Sequence, residues 1–502
     1  MKAVRAAGVL LHPTSLPGRH GCGDFGAAAY RFVDWLVEAG QSRWQVLPLG
    51  PTGAGSSPYL SPSAFAGNPL LIDLDELAQR GWLDAADLEP EAAFDPLRVD
   101  FERVTAWRMG RLERAARRFA AAASPSERDA FDAFCARHAN WLADYALFMA
   151  LCDAEPGRSW CDWDSALARR DAVALRDART RHADRIAFHA FCQWRFFEQW
   201  QRLKSYANAR GVRIIGDVPI FVAHHSAEVW ARPDLFELDA RGAPAVVAGV
   251  PPDYFSATGQ RWGNPLYRWQ AHADGGFSWW TQRLRHAIAL ADIVRIDHFR
   301  GFVAYWEIAA SEPTASHGRW REGPGAALFE AIRRELGVLP IIAEDLGLIT
   351  PAVDALRRRL GLPGMRVLQF AFGGGSDNPH LPHNHEPDGV VYTGTHDNDT
   401  TAGWWQAAAP GERAHACSYF ETDGAQMAWT LVRAALGSVA ATAIVPLQDV
   451  IGLGSAARMN VPGQPAGNWE WRFEWPQLQA EHAVRIAAAS RLFGRDAPQA
   501  SG

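Results

Sequence analysis

Four acidic residues stand where short, β-branched runs of the chain end: Asp217 in Val212-Arg-Ile-Ile-Gly-Asp-Val218, Asp297 in Ile293-Val-Arg-Ile-Asp297, Glu344 after Pro340-Ile-Ile-Ala343, and Asp397 after Val390-Val-Tyr-Thr-Gly-Thr-His396. One acidic residue after a strand is as readily a cap for the next helix. Four at the same end of successive strands point instead to a site. If the strands of Asp297 and Glu344 are neighbours, their carboxylates lie about 4.8 Å apart. Retaining glycosidases need a nucleophile and an acid/base about 5–5.5 Å apart, and inverting enzymes a wider gap for a water. The spacing therefore favours retention at a glycosidic bond. Arg295 precedes Asp297 by two residues and so shares its face of the strand, where a cation keeps the carboxylate ionised. Glu344 has to hold its proton, which calls for a drier position and a raised pKa. Asp397 is then free to grip sugar hydroxyls and steady an oxocarbenium-like transition state.

Such residues need a scaffold that brings several strand ends together. Eight short apolar runs recur along the chain, near Gly8–His12, Trp44–Leu49, Val212–Val218, Ile293–Asp297, Pro340–Asp345, Met365–Phe370, Val390–His396 and Ala443–Asp449. Near-continuous apolar runs suit strands buried on both faces. Helical patterns separate them, such as Phe25–Glu38 before Gly40 and Phe329–Leu336 before Gly337. The reading is an α/β protein, a (β/α)8 TIM barrel with its chemistry at the C-terminal ends of the strands. A doubly wound sheet is the alternative; eight strands ending in polar residues favour closure. Two connections are too long for plain loops. The barrel spans 1–502 and is interrupted by a mostly helical insertion over 74–199, after strand 2, with a capping box expected at Ser126-x-x-Asp129. A loop-rich subdomain over 221–290 follows strand 3. Only about 50 residues follow strand 8, too few for a C-terminal β-sandwich, since independent domains start near 50 residues and average far more.

Composition narrows the chemistry further. Lys and Arg total 50 against 56 Asp and Glu, which argues against a nucleic-acid partner. Only Lys2 and Lys204 are lysines, so Schiff-base chemistry and P-loop hydrolysis are close to excluded. Gly21-x-Gly23-x-x-Gly26 matches a dinucleotide fingerprint, but Pro13 and Pro17 separate it from the first strand, and the next strand lacks the acidic ribose partner. His380, His383 and His385 cluster in a proline-stiffened loop without a cysteine, as hydrogen-bonded histidines do. Six cysteines without a C-x-x-C pair read as reduced thiols. No apolar run is long enough for a membrane span. The expectation is a cytoplasmic enzyme with no cofactor and no metal.

Arg295-Ile-Asp297-His-Phe-Arg-Gly301, Ala343-Glu344-Asp-Leu-Gly347 and Gly394-Thr-His-Asp397-Asn-Asp-Thr400 resemble the signature regions of the α-amylase clan as written in glycoside hydrolase family 77, the 4-α-glucanotransferases or amylomaltases. The resemblance runs on through Pro13–Pro17, Trp44–Thr52, Ser57-Pro-Tyr59, Gly216–Phe221, Pro251–Ser256, Gly259–Pro265, Pro446–Asp449, Arg458–Gly463 and Gly467–Trp471. It implies that Asp297 is the nucleophile, Glu344 the acid/base and Asp397 the transition-state stabiliser. It also implies substrate contacts from Ser57, Tyr59, Asp217, Gln260, Trp262, Arg295, His298, Asp345, His396 and Asn468, with the loop Pro251–Pro265 folding over the site and Trp469 a further groove candidate. The implied partners are maltooligosaccharides, amylose or glycogen-type α-glucans, with glucose as acceptor. An α-amylase-type retaining hydrolase and a non-catalytic glucan-binding protein are the other readings.

Overall fold

The computed structural model describes residues 5–252 and 256–496. All eight apolar runs form strands: β1 (Ala6–Leu10), β2 (Arg43–Gln45), β3 (Arg213–Pro219), β4 (Ile293–Asp297), β5 (Ile341–Ala343), β6 (Met365–Val367), β7 (Val390–Tyr392) and β8 (Thr442–Pro446). They pair in parallel in the order β6-β7-β8-β1-β2-β3-β4-β5. Because β8 lies against β1, chain order runs around a ring and the fold is a (β/α)8 barrel. Between β5 and β6 the ladder gives way to two stitches. The Ala343 amide donates to the Pro363 carbonyl at 2.9 Å, and the Met365 amide donates to Asp345 Oδ1 at 2.6 Å. Gly364 makes room for that side chain, since a Cβ there would lie 2.3 Å from the Asp345 carboxylate.

The helices follow their apolar stripes. Ala27–Glu38 buries Phe32, Val33 and Leu36 completely, each worth about 1.5–3 kcal/mol, and the chain leaves it through Gly40 at φ 65°. Gly325–Leu336 likewise ends at Gly337, at φ 74°. The Gly21–Gly26 stretch is a turn that delivers the chain to the first of these helices.

The two insertions differ from expectation in instructive ways. The capping box lies two residues earlier than expected: the Ser124 side chain accepts from the Glu127 amide, and Glu127 reaches back to the Ser124 amide. The helix it opens stops at His138, and Ala139–Ala154 follows. The last insertion helix runs unbroken from Ala183 to Ala209, so no boundary exists at residue 199. Its Phe196 and Trp200 pack on Phe25, and Trp200 Nε1 donates to the Leu290 carbonyl at 2.9 Å. This helix is the insertion's anchor and the barrel's own helix before β3 at once.

The segment read as loop-rich contains the strands Val246–Val250 and Gln260–Pro265. They join Ala304–Ala309 and Gly318–Glu322, which follow β4, in a four-stranded antiparallel sheet. The sheet is fed from the C-terminal ends of β3 and β4. Gln260-Arg-Trp-Gly-Asn-Pro265 has no β-branched residue, so its extended form comes from its neighbours and not from propensity. Asp253, Tyr254 and Phe255 of the Pro251–Ser256 motif, and Lys2, lie outside the described residues. No strand follows β8 among the described residues, and no helix there is long and apolar enough to cross a membrane.

Candidate active site

The register of three adjacent strands assembles the charges. Arg295 lies directly across from Asp217, and Ile296 from Ala343, so Asp297 and Glu344 leave neighbouring strands side by side. Arg295 Nη1 donates to Asp217 Oδ2 at 2.6 Å, and Nη2 donates to Asp297 Oδ1 at 2.9 Å. The Tyr59 hydroxyl donates to the same Asp217 oxygen at 2.9 Å. Burial opposes the charge on Arg295, but Asp217 and Asp297 overcome it and hold the guanidinium charged. Burial, against the pull of Arg295 and with the charges of Asp217 and Asp397 adding to it, leaves the Asp297 carboxyl raised above its ordinary range. With 29% of its side chain in water, Asp297 keeps an open approach.

Glu344 has the opposite setting. Among the described residues no ion pair reaches it; its carboxylate accepts from the His298 amide at 2.7 Å and the Leu346 amide at 2.8 Å. Burial and the charge of Asp297 push it up to about 8 even so. His298 stands in the left-handed region at φ 53°, which turns its amide back toward Glu344. For a non-glycine residue that conformation stores on the order of 1–3 kcal/mol. Its imidazole is held neutral, lowered to about 3 by burial and by Arg300, and meets Trp262 edge to face at 4.8 Å.

The third carboxylate comes from the loop beyond β7. Asn460 Nδ2 donates to Asp397 Oδ1 at 2.6 Å, Arg458 Nη2 donates to the Asp397 carbonyl at 2.6 Å, and His396 Nε2 lies 3.4 Å from Asp397 Oδ1. The His396 ring is stacked on Tyr59 at 5.2 Å and tilted against Trp469 at 5.9 Å. Trp469 reaches that position from the left-handed region, at φ 67°.

Asp217, Arg295, Asp297, Glu344, Asp397, Tyr59, His298, His396 and Trp262 thus converge. Gln260 supports Trp262, its Oε1 accepting from Trp262 Nε1 at 3.1 Å. Ser57 caps the turn that carries Tyr59, its Oγ accepting from the Tyr59 amide. Asn468 braces its own loop, accepting from the Val461 amide and donating to the Gln464 carbonyl. Asp345 faces away: it stitches β5 to β6, 3.3 Å from Arg357 and 3.5 Å from Arg366. The contacts of Asp345 are with Met365, Arg357 and Arg366, whereas Glu344 is held by the His298 and Leu346 amides. Sequence reasoning missed Asn460 and Arg458 as Asp397's partners, and also His12, which is buried beside His396 and lowered to about 3 by burial and that neighbour. Asn460 is 63 residues from Asp397; only its place in a motif with Arg458 hinted at a role. The histidines of the 378–387 loop are hydrogen-bonded: His380 to the Val367 amide, His383 to Tyr419, His385 to Ser438.

Comparison with known proteins places this geometry. A family profile described as 4-alpha-glucanotransferase matches residues 11–478. The chain belongs to the 4-alpha-glucanotransferase family. It is 55% identical over 503 residues to a 4-alpha-glucanotransferase of Thermus thermophilus, covering 99% of this chain and 100% of that one. A Synechocystis 4-alpha-glucanotransferase is 48% identical over 497 residues, 98% of either chain. Among solved structures, the amylomaltase from Streptococcus agalactiae in complex with acarbose aligns with a TM-score of 0.95 at 39% identity, covering 98% of this chain and 100% of that one. The chain is a retaining enzyme that transfers α-1,4-glucan segments. The hydrolase and the non-catalytic binder therefore give way to the transferase.

Proposed function

We propose that Asp297, Glu344 and Asp397 carry the transfer in two inverting steps that together retain configuration. In the first, an Asp297 oxygen attacks the anomeric carbon while Glu344 gives its proton to the departing glycosidic oxygen. A covalent glycosyl-enzyme forms, and the reducing-end fragment leaves with its 4-hydroxyl restored. In the second, Glu344, now ionised, takes the proton of an acceptor's 4-hydroxyl as that oxygen displaces Asp297. The new bond resembles the old one in energy, so no external energy source is needed. Asp397, aimed by Asn460 and His396, holds sugar hydroxyls as positive charge develops on the ring.

Donors on this reading are maltooligosaccharides, amylose or glycogen-type glucans, and acceptors are glucose or another glucan chain. Tyr59, His396, Trp469 and Trp262 offer ring faces and polar edges to glucose units, and the four-stranded sheet forms one wall of the groove. A wall that keeps water scarce favours the sugar acceptor over hydrolysis. Six free cysteines suit a reducing cytoplasm. The observation that carries the proposal is the paired setting of two neighbouring carboxylates, Asp297 hydrogen-bonded to a buried arginine and Glu344 buried and held by backbone amides. Incubation with maltotriose tests it: a ladder of longer products plus glucose is expected, and shortening products alone would sink it. Wild-type turnover in both Asp297→Asn and Glu344→Gln would overturn the residue assignments.

A further inference from the structure

The chain has 22 tryptophans, and among the described residues only Trp320 of these is exposed, with 41% of its surface in water. Leaving a large apolar side chain out of the core forgoes roughly 1.5–3 kcal/mol, so the way the fold holds it there is informative. Trp320 lies mid-way along Gly318–Glu322, the edge strand of the four-stranded sheet. It is paired across the ladder with Trp306, and the two rings meet edge to face at 5.1 Å. Gly318 lets Trp306 lie flush, because a Cβ at 318 would stand 2.5 Å from Trp306 Nε1.

Beneath Trp320 the guanidinium of Arg300 stacks at 3.9 Å. The same guanidinium donates to the Leu348 carbonyl at 2.5 Å. Arg300 follows His298, and Leu348 follows Leu346, the two residues whose amides hold Glu344. Leu348 is itself 58% exposed. One buried arginine thus ties the Trp320 ring, and the backbone at Leu348, to the loops that position the acid/base.

We propose that Trp320 and Leu348 form a platform for glucose units of a long α-glucan beyond the central site, on the side occupied by the departing and then the incoming chain. This rests on the reading of Glu344 as acid/base, since an acid that protonates the leaving oxygen stands on that side of the bond. The apolar face of a glucose ring packs on an indole as another ring does. Glu322, two residues on and so on the same face of the strand, supplies a partner for its hydroxyls, while Arg319 and Arg321 face the other way and hold Glu307. A second copy of the chain pairing with this edge is the competing occupant, and those charges oppose it, as charges on edge strands do.

The test compares the full-length protein with Trp320→Ala, Trp320→Phe and Leu348→Ala, using maltotriose and long-chain amylose as substrates and sedimentation for mass. The ratio of the KM for amylose to the KM for maltotriose rises about threefold to tenfold in Trp320→Ala, rises less in Leu348→Ala, and is largely restored in Trp320→Phe, with no change in mass. An unchanged ratio in Trp320→Ala overturns the platform, and so does a smaller mass without a change in ratio, which would assign the edge to a second copy. A wild type that builds no longer products from maltotriose brings down the transferase reading instead, so the two failures are distinct.

Discussion

Replacing Glu344 by Gln exchanges a proton carrier for a neutral group of the same shape, and its effect on stability changes with pH. An ordinary glutamate titrates near 4.5, and Glu344 is pushed up to about 8 by burial and Asp297. The folded protein therefore holds this proton more tightly than the unfolded chain. The stability so contributed is fully present below about pH 4.5 and is lost as pH rises through about 8, a total of roughly 4–5 kcal/mol. Glutamine has no such dependence. It does lose something at every pH, because its amide can accept from only one of the His298 and Leu346 amides, at a cost of about 1–3 kcal/mol. The variant is thus expected to be less stable than wild type at about pH 5.5 and to gain roughly 3 kcal/mol on it by about pH 9. Guanidinium denaturation of both proteins at the two pH values reads the difference directly. Turnover of maltotriose falls on the order of a hundredfold or more in the variant. A stability difference that is the same at both pH values would refute the idea that Glu344 is a buried, protonated acid.

Asn460→Ala removes the 2.6 Å hydrogen bond that aims Asp397; a charge-assisted bond of about 1.5–3 kcal/mol corresponds to a kcat on maltotriose about tenfold to a hundredfold lower, and an unchanged kcat would deny Asp397 its role. Asp345→Asn disturbs the β5–β6 stitch and its pairing with Arg357 and Arg366, so stability drops by about 3–5 kcal/mol while the KM for maltotriose stays put. A raised KM with unaltered melting would return Asp345 to the sugar site. In wild type, kcat/KM declines above a pH of about 8 as Glu344 loses its proton, and a flat profile to about pH 10 would count against its acid role.

The barrel was readable because its strands are buried on both faces: runs such as Ile293-Val-Arg-Ile and Pro340-Ile-Ile-Ala leave little for water, and their polar last residues mark the working end. The charged centre was readable for the same reason, since Arg295 and Asp297 share a face by simple alternation. Asp345 entered the expected site on the family resemblance, and its hydrogen bond to the Met365 amide depends on a neighbour twenty residues away. What stayed hidden depends on contacts that no local pattern encodes. The strand Gln260–Pro265 is extended only because Val246–Val250 lies beside it. Asn460 and Trp469 reach Asp397 and His396 through loop geometry, including a left-handed backbone at Trp469 that its residue type disfavours. The helix Ala183–Ala209 ran through a boundary placed at Gln199 because a helix with buried residues on both sides of that point offers no stop signal.

The stitch between β5 and β6 makes this ring a sheet with a built-in tear line. Seven of its eight junctions are ladders of backbone bonds; the eighth hangs on one side-chain carboxylate and a single peptide contact. Partial unfolding therefore has a preferred route, with β1–β5 and β6–β8 parting as two leaves of one book while β8 still holds β1 as the spine. Glu344 sits one residue from that tear, so the proposed acid/base is carried on the margin of the barrel that the fewest backbone bonds hold.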